Sequence, residues 1–231
     1  MLEFVNVHHS FRTVEALIDV SFKLQPGITG LLGANGAGKS TAMRLAVGEL
    51  MPKHGAITVT SVTGSPHPRI GYCPQFVTFP KQLSVFEFFE YLAWLRKIPN
   101  AETRNAVHDA LGWADLYNRR NVKLGSLSGG MVRRMAIAQS MIGRPDLLLL
   151  DEPTTGLDPE QRVRIRDLLR TLPDDATILM SSHLVEDITA LASRTLILHN
   201  GRLVRDIALT ELQGTGESLE QFYLRTIVHA A

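Results

Sequence analysis

The chain is poor in cysteine. Cys73 is its only one, so no internal disulfide can staple the fold, and a disulfide-framed secreted scaffold is excluded. Standing between Tyr72 and Pro74, Cys73 reads as a small buried apolar residue rather than a nucleophile. Long apolar runs are missing as well. The densest, Leu147 to Leu150, is cut off by Asp151 and Glu152, far short of the ~20 residues a membrane-spanning helix needs. The opening MLEFVNVHHS has neither the basic nor the apolar region of a signal peptide. A cytosolic chain that does not itself cross a bilayer is expected. Nor is there an excess of either charge. With 24 Lys and Arg against 23 Asp and Glu, the formal net charge of +1 gives no global field to draw nucleic acid or an acidic membrane. His8 and His9 lack partners at metal-ligand spacing, so no zinc site is expected. Arg162, Arg164, Arg166 and Arg170 are accompanied by Glu160 and Asp167. They read as a solvated helix face, and no nucleic acid is inferred.

What is present is enough for a sizeable core: 231 residues, 45% of them hydrophobic, which fits one domain with an inserted subdomain. From Leu2 to about Gln75, short β-rich runs separated by Gly and Pro surround one helical pattern after Lys39. From about Ser84 to Met141 the period is helical. Val85, Phe88, Leu92 and Leu95 form a stripe, and Ser84 with Glu87 has the spacing of a capping box. From Asp146 onward, the buried-looking runs DLLLLD, ATILMSS and RTLILHN alternate with helical stretches, which argues for a parallel sheet of βαβ units. The stretch from Ser61 to Arg69 is short and rich in Pro, Gly and Ser.

The stretch LLGANGAGKST, Leu31 to Thr41, carries the first chemistry. Gly33, Gly38, Lys39 and Ser40 satisfy G-x-x-x-x-G-K-[ST] between an apolar strand and a helix-like segment. Asn35, Gly36 and Ala37 fill the loop, and Thr41 follows it. Glycines let backbone N–H groups approach an anion at a helix N-terminus, Lys39 supplies charge to β and γ phosphates, and the Ser40 hydroxyl can ligate Mg²⁺. The loop is built for a nucleoside triphosphate. Hydrolysis needs a carboxylate at the metal and a base at the water. Asp151 and Glu152 supply both, because they emerge together at the C-terminal end of the LLLL strand, where ligands bind in an open α/β sheet.

A third glycine-rich segment, GSLSGGM from Gly125 to Met131, precedes another helix and resembles the signature of ATP-binding cassette (ABC) ATPases. The likeness runs from about residue 2 to 210, with every element in its usual order: the phosphate loop, Gln75 in YCPQ, LSGG, LLLLDEPT, TTGLD ending in Asp158, and His183 in SSHL. The implied fold is a phosphate-loop NTPase core of mainly parallel sheet with an antiparallel β-subdomain and an inserted helical subdomain. Residues 1–231 would form one domain, with about 1–75 and 145–231 as the core and 76–144 as the helical signature subdomain.

The resemblance implies an ATPase using ATP and Mg²⁺. Glu152, His183 and Gln75 act at the reacting water and γ-phosphate, and Ser40, Gln75 and Asp151 at the metal. It also implies a head-to-tail dimer in which Ser128, Gly129 and Gly130 of one chain close on the ATP held by Lys39 of another, with Asp158 across the interface. Locally, Asp158 also reads as a helix N-cap, with Pro159 first in the helix and Gln161 closing a capping box. Three departures stand out, one being that the stretch from Ser61 to Arg69 reads as an abbreviated part of the β-subdomain. Met131 replaces the usual glutamine, and Phe11 is the nearest aromatic for stacking on adenine, with a place in the core as its other reading. The run VFEFFEYLAWL exceeds what one core face needs, and the resemblance implies a docking site there for a separate transmembrane permease. The expected role is the ATPase subunit of an exporter, peripheral on the cytoplasmic face of the membrane. The alternative is a soluble cassette ATPase acting on ribosomes or DNA.

Overall fold

A computed structural model describes residues 1–61, 64–172 and 176–230; Val62 and Thr63, within the stretch from Ser61 to Arg69, lie outside them. The elements run β1 (Leu2–Phe11), β2 (Val14–Lys23), β3 (Gly27–Leu32), α1 (Lys39–Ala46), β4 (His54–Val59) and β5 (Ile70–Cys73). Helices α2 (Val85–Leu95), α3 (Asn100–Trp113) and α4 (Gly129–Met141) follow. The chain then alternates through β6 (Leu147–Leu150), α5 (Pro159–Arg170), β7 (Thr177–Ser182), α6 (Val185–Leu191) and β8 (Arg194–His199), and closes with β9 (Arg202–Ala208), α7 (Leu209–Gln213) and α8 (Leu219–Ala230).

Two sheets result. Strands β2, β1 and β4 pair antiparallel, and a six-stranded sheet has the order β5, β6, β7, β3, β8, β9. All its pairings are parallel except β8 with β9. That antiparallel edge is absent from the reading of the sequence. Asn200 and Gly201, both at positive φ (46° and 75°), make the two-residue turn that an Asn-Gly pair between apolar runs favours.

The LLLL strand is buried on both faces. Leu147 and Leu149 join a cluster between the sheets with Leu2, Phe4, Leu31 and Met43, while Leu148 and Leu150 join one under the helices with Ile165, Ile178 and Ile188. The alternation follows from the strand's period of two. A third cluster, with Phe88, Phe89, Leu111 and Met135, holds α2, α3 and α4 together. The Ser84 capping box forms in both directions. The apolar stripe of α2 differs from the expected one: Val85, Phe88, Phe89 and Ala93 are buried, whereas Leu95 is exposed.

In the sheet order, β3 lies beside β7, and β7 beside β6, with Leu32 opposite Ser182 and Leu150 opposite Met180. The residues that follow these three strands therefore meet at one edge.

Candidate functional site

Helix α1 begins without a side-chain cap, because its N-cap is Gly38 at φ 106°. The N–H groups of its first turn have no side-chain acceptor, which is the arrangement that receives an anion. A β-carbon on Gly33 would strike the Leu198 carbonyl, and one on Gly38 the Ala16 carbonyl. The loop is clamped on a third side. Gly201 donates its N–H to Ala37 O (3.1 Å) and accepts from Ile18 N (2.8 Å), so the missed hairpin holds the phosphate loop. Asn35 and Gly36 are exposed, Ala37 is buried, and Ser40 and Thr41 are half-buried.

Lys39 is 6% exposed. Its Nζ donates to the carbonyls of Gly33 (2.6 Å) and Ala34 (3.1 Å) and lies 3.2 Å from Glu152 Oε1. That oxygen has no hydrogen bond among the described residues, so the contact is an ion pair without hydrogen-bond geometry. The other oxygen, Oε2, accepts from Thr155 Oγ1 (2.7 Å) and from His183 Nδ1 (2.8 Å), which carries the proton. Burial pushes the Glu152 carboxyl pKa up, but the Thr155 hydroxyl, the Lys39 charge and His183 outweigh it, and the net shift is below the usual value. Asp151 is buried beside it. Ser181 Oγ donates to Asp151 Oδ1 (2.7 Å) and accepts from Glu152 N (2.9 Å). Reading the sequence missed Thr155 and Ser181. Ser181 leaves a trace as a hydroxyl at the end of an otherwise apolar strand.

The structure thus brings Lys39, Asp151, Glu152 and His183 together. The signature does not join them: among the described residues no hydrogen bond or ion pair links Ser128, Gly129 or Gly130 to that group. Ser128 caps α4 through a long bond from Met131 N (3.4 Å), and Gly129 faces open space. Met131 packs partly against the helical cluster. Gln75 is exposed, with its carbonyl bonded to Arg133. Phe11 is 43% exposed at the end of β1, with its ring edge-on to His9, so it does not serve as core. Cys73 is fully buried, and burial pushes its thiol up to about 11, as befits an inert residue.

Two local expectations are corrected. Asp158 Oδ1 accepts from Gln161 N (2.8 Å), but the Gln161 carboxamide lies against Gly130, so the capping box is half made and links α5 to the signature. Arg166 is not part of a solvated face. It pairs closely with the fully buried Asp187, donating from Nε at 2.8 Å, and the Thr154 hydroxyl bonds the other Asp187 oxygen. The pattern of charges on α5 concealed this because the partner lies on α6.

The residues fit a magnesium nucleotide. Lys39 is matched by a carboxylate where phosphate charge belongs, and Glu152 Oε1 lacks a donor. Among the described residues no group of three or more His, Cys, Asp or Glu could hold a metal alone. Asp151 is a carboxylate of the kind that Mg²⁺ takes, one or two together with substrate phosphates and water. Among the described residues no helix is long and apolar enough to cross a membrane.

The family model described as ABC transporter matches residues 17–155. The Nod factor export ATP-binding protein I of Burkholderia thailandensis is 36% identical over 215 residues, which cover 89% of this chain and 70% of that protein. The ATP-binding subunit of an ABC transporter superposes with a TM-score of 0.85 at 26% identity, covering 98% of this chain and 99% of that one. A dimeric bacterial ABC transporter cassette shares the fold, with a TM-score of 0.78, 24% identity, and coverage of 90% and 99%. The glycine-lined helix start, the paired carboxylates that follow β6 and these likenesses agree: the chain belongs to the ABC transporter family, among its ATP-binding subunits.

Proposed function

We propose that this chain is the ATP-hydrolysing subunit of an exporter, working as a head-to-tail dimer on the cytoplasmic face of a membrane beneath a separate permease. One observation carries the reading: Lys39, Asp151, Glu152 and His183 converge on adjacent strand ends, while Ser128 and Gly129 of the same chain are exposed. One half of a site is assembled and the other is presented outward. We read the whole chain as one domain, with residues 76–144 as its signature subdomain, supported by their separate apolar cluster.

On binding, the phosphates take the place of Glu152 beside Lys39, with the N–H groups of α1 directed at the β and γ oxygens. Ser40, Asp151 and Gln75 would hold Mg²⁺, which would supply neutralising charge to the phosphates. The Glu152 carboxylate, ionised at neutral pH, orients the attacking water and takes its proton. His183 holds Glu152 through Nδ1 and faces the γ-phosphate. Ser128, Gly129 and Gly130 of a second chain close the site, Asp158 lies across that interface, and Phe11 stacks on adenine. Phe76, Tyr91 and Trp94, exposed around Gln75 and α2, offer the permease an apolar surface. The export direction rests on the name of the relative that exports Nod factor.

ATP-driven pairing tests the reading. Glu152→Gln with ATP is expected to elute and scatter as a dimer, and co-purification from detergent extracts is expected to bring down a membrane subunit. A Glu152→Gln chain that binds ATP yet stays monomeric, alone and with that subunit, would overturn the shared-site model.

A further inference from the structure

Arg133 lies on α4, five residues beyond Ser128, and is 7% exposed. Each of its five N–H groups meets a backbone carbonyl. Nε donates to Pro153 O (2.8 Å), Nη1 to Pro74 O (3.0 Å) and Gln75 O (3.1 Å), and Nη2 to Asp151 O (2.9 Å) and Glu152 O (2.6 Å). A guanidinium has no further donor to give. The neighbouring Arg134 differs: it bonds Asp115, and its Nε has no partner among the described residues.

Such an arrangement is a poor way to gain stability. A buried guanidinium is costly to desolvate, and a well-packed apolar side chain of similar size commonly serves stability as well or better. What Arg133 does provide is geometry. Glu152 has a positive φ of 50°, a conformation that persists only where its surroundings over-determine it. Peptide units are planar, so holding the Asp151 and Glu152 carbonyls fixes the two planes that flank the Glu152 α-carbon. Those planes set where the Glu152 side chain leaves the backbone.

We propose that Arg133 is a positioning residue for ATP hydrolysis: it fixes the peptide planes on both sides of Glu152 and ties them, with the Gln75 carbonyl, to the helix that begins at Ser128. The inference rests on the reading of Glu152 as general base. A movement of α4 then carries the Gln75 and Glu152 carbonyls with it, so the water-activating carboxylate is aligned only when the signature helix is in place.

The test compares Arg133→Met, which has no donors, Arg133→Lys, which has three, and Met135→Ala, a cavity in the helical cluster that serves as a stability control. Single-turnover hydrolysis at saturating ATP, equilibrium ATP affinity and thermal midpoint are measured for each full-length chain. Arg133→Met is expected to lower the single-turnover rate about 10- to 100-fold, the scale of a slightly misplaced catalytic group, with ATP affinity within about twofold. Arg133→Lys is expected to recover part of the rate, and Met135→Ala to lose stability without that rate loss. A parental rate for Arg133→Met overturns the proposal. So does a loss of rate and affinity together that follows the thermal midpoint as in Met135→Ala. If Arg133→Met does not fold, Arg133→Lys decides: a reduced rate at unchanged affinity supports the role, and a parental rate removes it. Glu152→Gln in the same assay keeps the two readings apart. A parental rate there removes Glu152 as the base, whereas its collapse beside a parental Arg133→Met rate removes Arg133 alone.

Discussion

Two helices of this chain start at glycine-rich loops, and the fold treats them in opposite ways. At α1 the loop is enclosed by Ala16, Leu198 and Gly201, has no side-chain cap, and directs a buried lysine at a buried glutamate. At α4 the loop is exposed, capped by its own serine, and open beyond Gly129. Both present N–H groups to an anion, but only the first holds a neutralising cation. Enclosure favours tight, pre-organised binding of phosphate, because desolvated charge interacts strongly. On the proposed reading, exposure keeps the second loop available to a partner that brings its own phosphate.

The largest effect is expected from breaking the enclosed half at its base. Glu152→Gln should slow single-turnover hydrolysis by about 10²- to 10⁴-fold while ATP still binds; equal rates for variant and parent would remove Glu152 from that role. Its pKa is held below the usual carboxylate value. The carboxylate therefore stays ionised, and its ion pair with Lys39 stays in place, above about pH 4.5, both being lost as pH falls through the folded-state pKa. The contribution of this pair to the stability of the nucleotide-free chain should hold from neutrality down to about pH 4.5 and fall below it, which thermal midpoints measured across that range check.

The two halves can next be separated genetically. Lys39→Ala and Ser128→Arg each spoil one half, and each alone should lose about 10²-fold or more in ATPase activity. In an equimolar mixture half of all random dimers are mixed, and each has one intact site. Recovery to roughly a quarter of parental activity is expected if sites fire independently. No recovery, in a mixture shown to dimerise, would break the idea of a site shared between chains.

Stability offers a finer contrast. Asp187→Asn leaves Arg166 without its buried counter-charge and should cost about 3–5 kcal/mol, whereas Ser128→Ala removes an exposed cap worth about 0.5–2 kcal/mol. Equal shifts in thermal midpoint would erase the distinction between a built half and a presented half. A change in binding rather than stability is expected at Phe11. Phe11→Ala should weaken ATP by about 1–3 kcal/mol if its ring stacks on adenine, and an unchanged nucleotide affinity would leave the ring without that role.

The sequence showed most where chemistry and local geometry coincide. A phosphate loop needs its glycines and lysine in consecutive order, and LLLL announces a strand buried on both faces, so Lys39, Asp151 and Glu152 could be assigned together from spacing alone. The capping boxes show where this stops. At Ser84 the reciprocal bond forms because, among the described residues, nothing else claims Glu87 except the exposed Lys123. At Asp158 the Gln161 side chain is taken by Gly130, more than thirty residues earlier. Arg166 and Arg133 were obscured for the same reason: the groups that define them, Asp187 and five backbone carbonyls, come from elsewhere in the chain. Residues whose role lies in a partner distant in sequence cannot be read from their neighbours. The Asn-Gly turn was different, since its signal was local and was overlooked.

The ion pair between Lys39 and Glu152 makes the loop its own competitor. Any anion arriving from solution must displace a carboxylate already tethered beside the ammonium, at an effective concentration no free ion attains. A single inorganic phosphate has little to offer against it, whereas a triphosphate gains several N–H contacts along the loop at once. This internal rival therefore favours a ligand carrying several phosphates over one carrying a single phosphate.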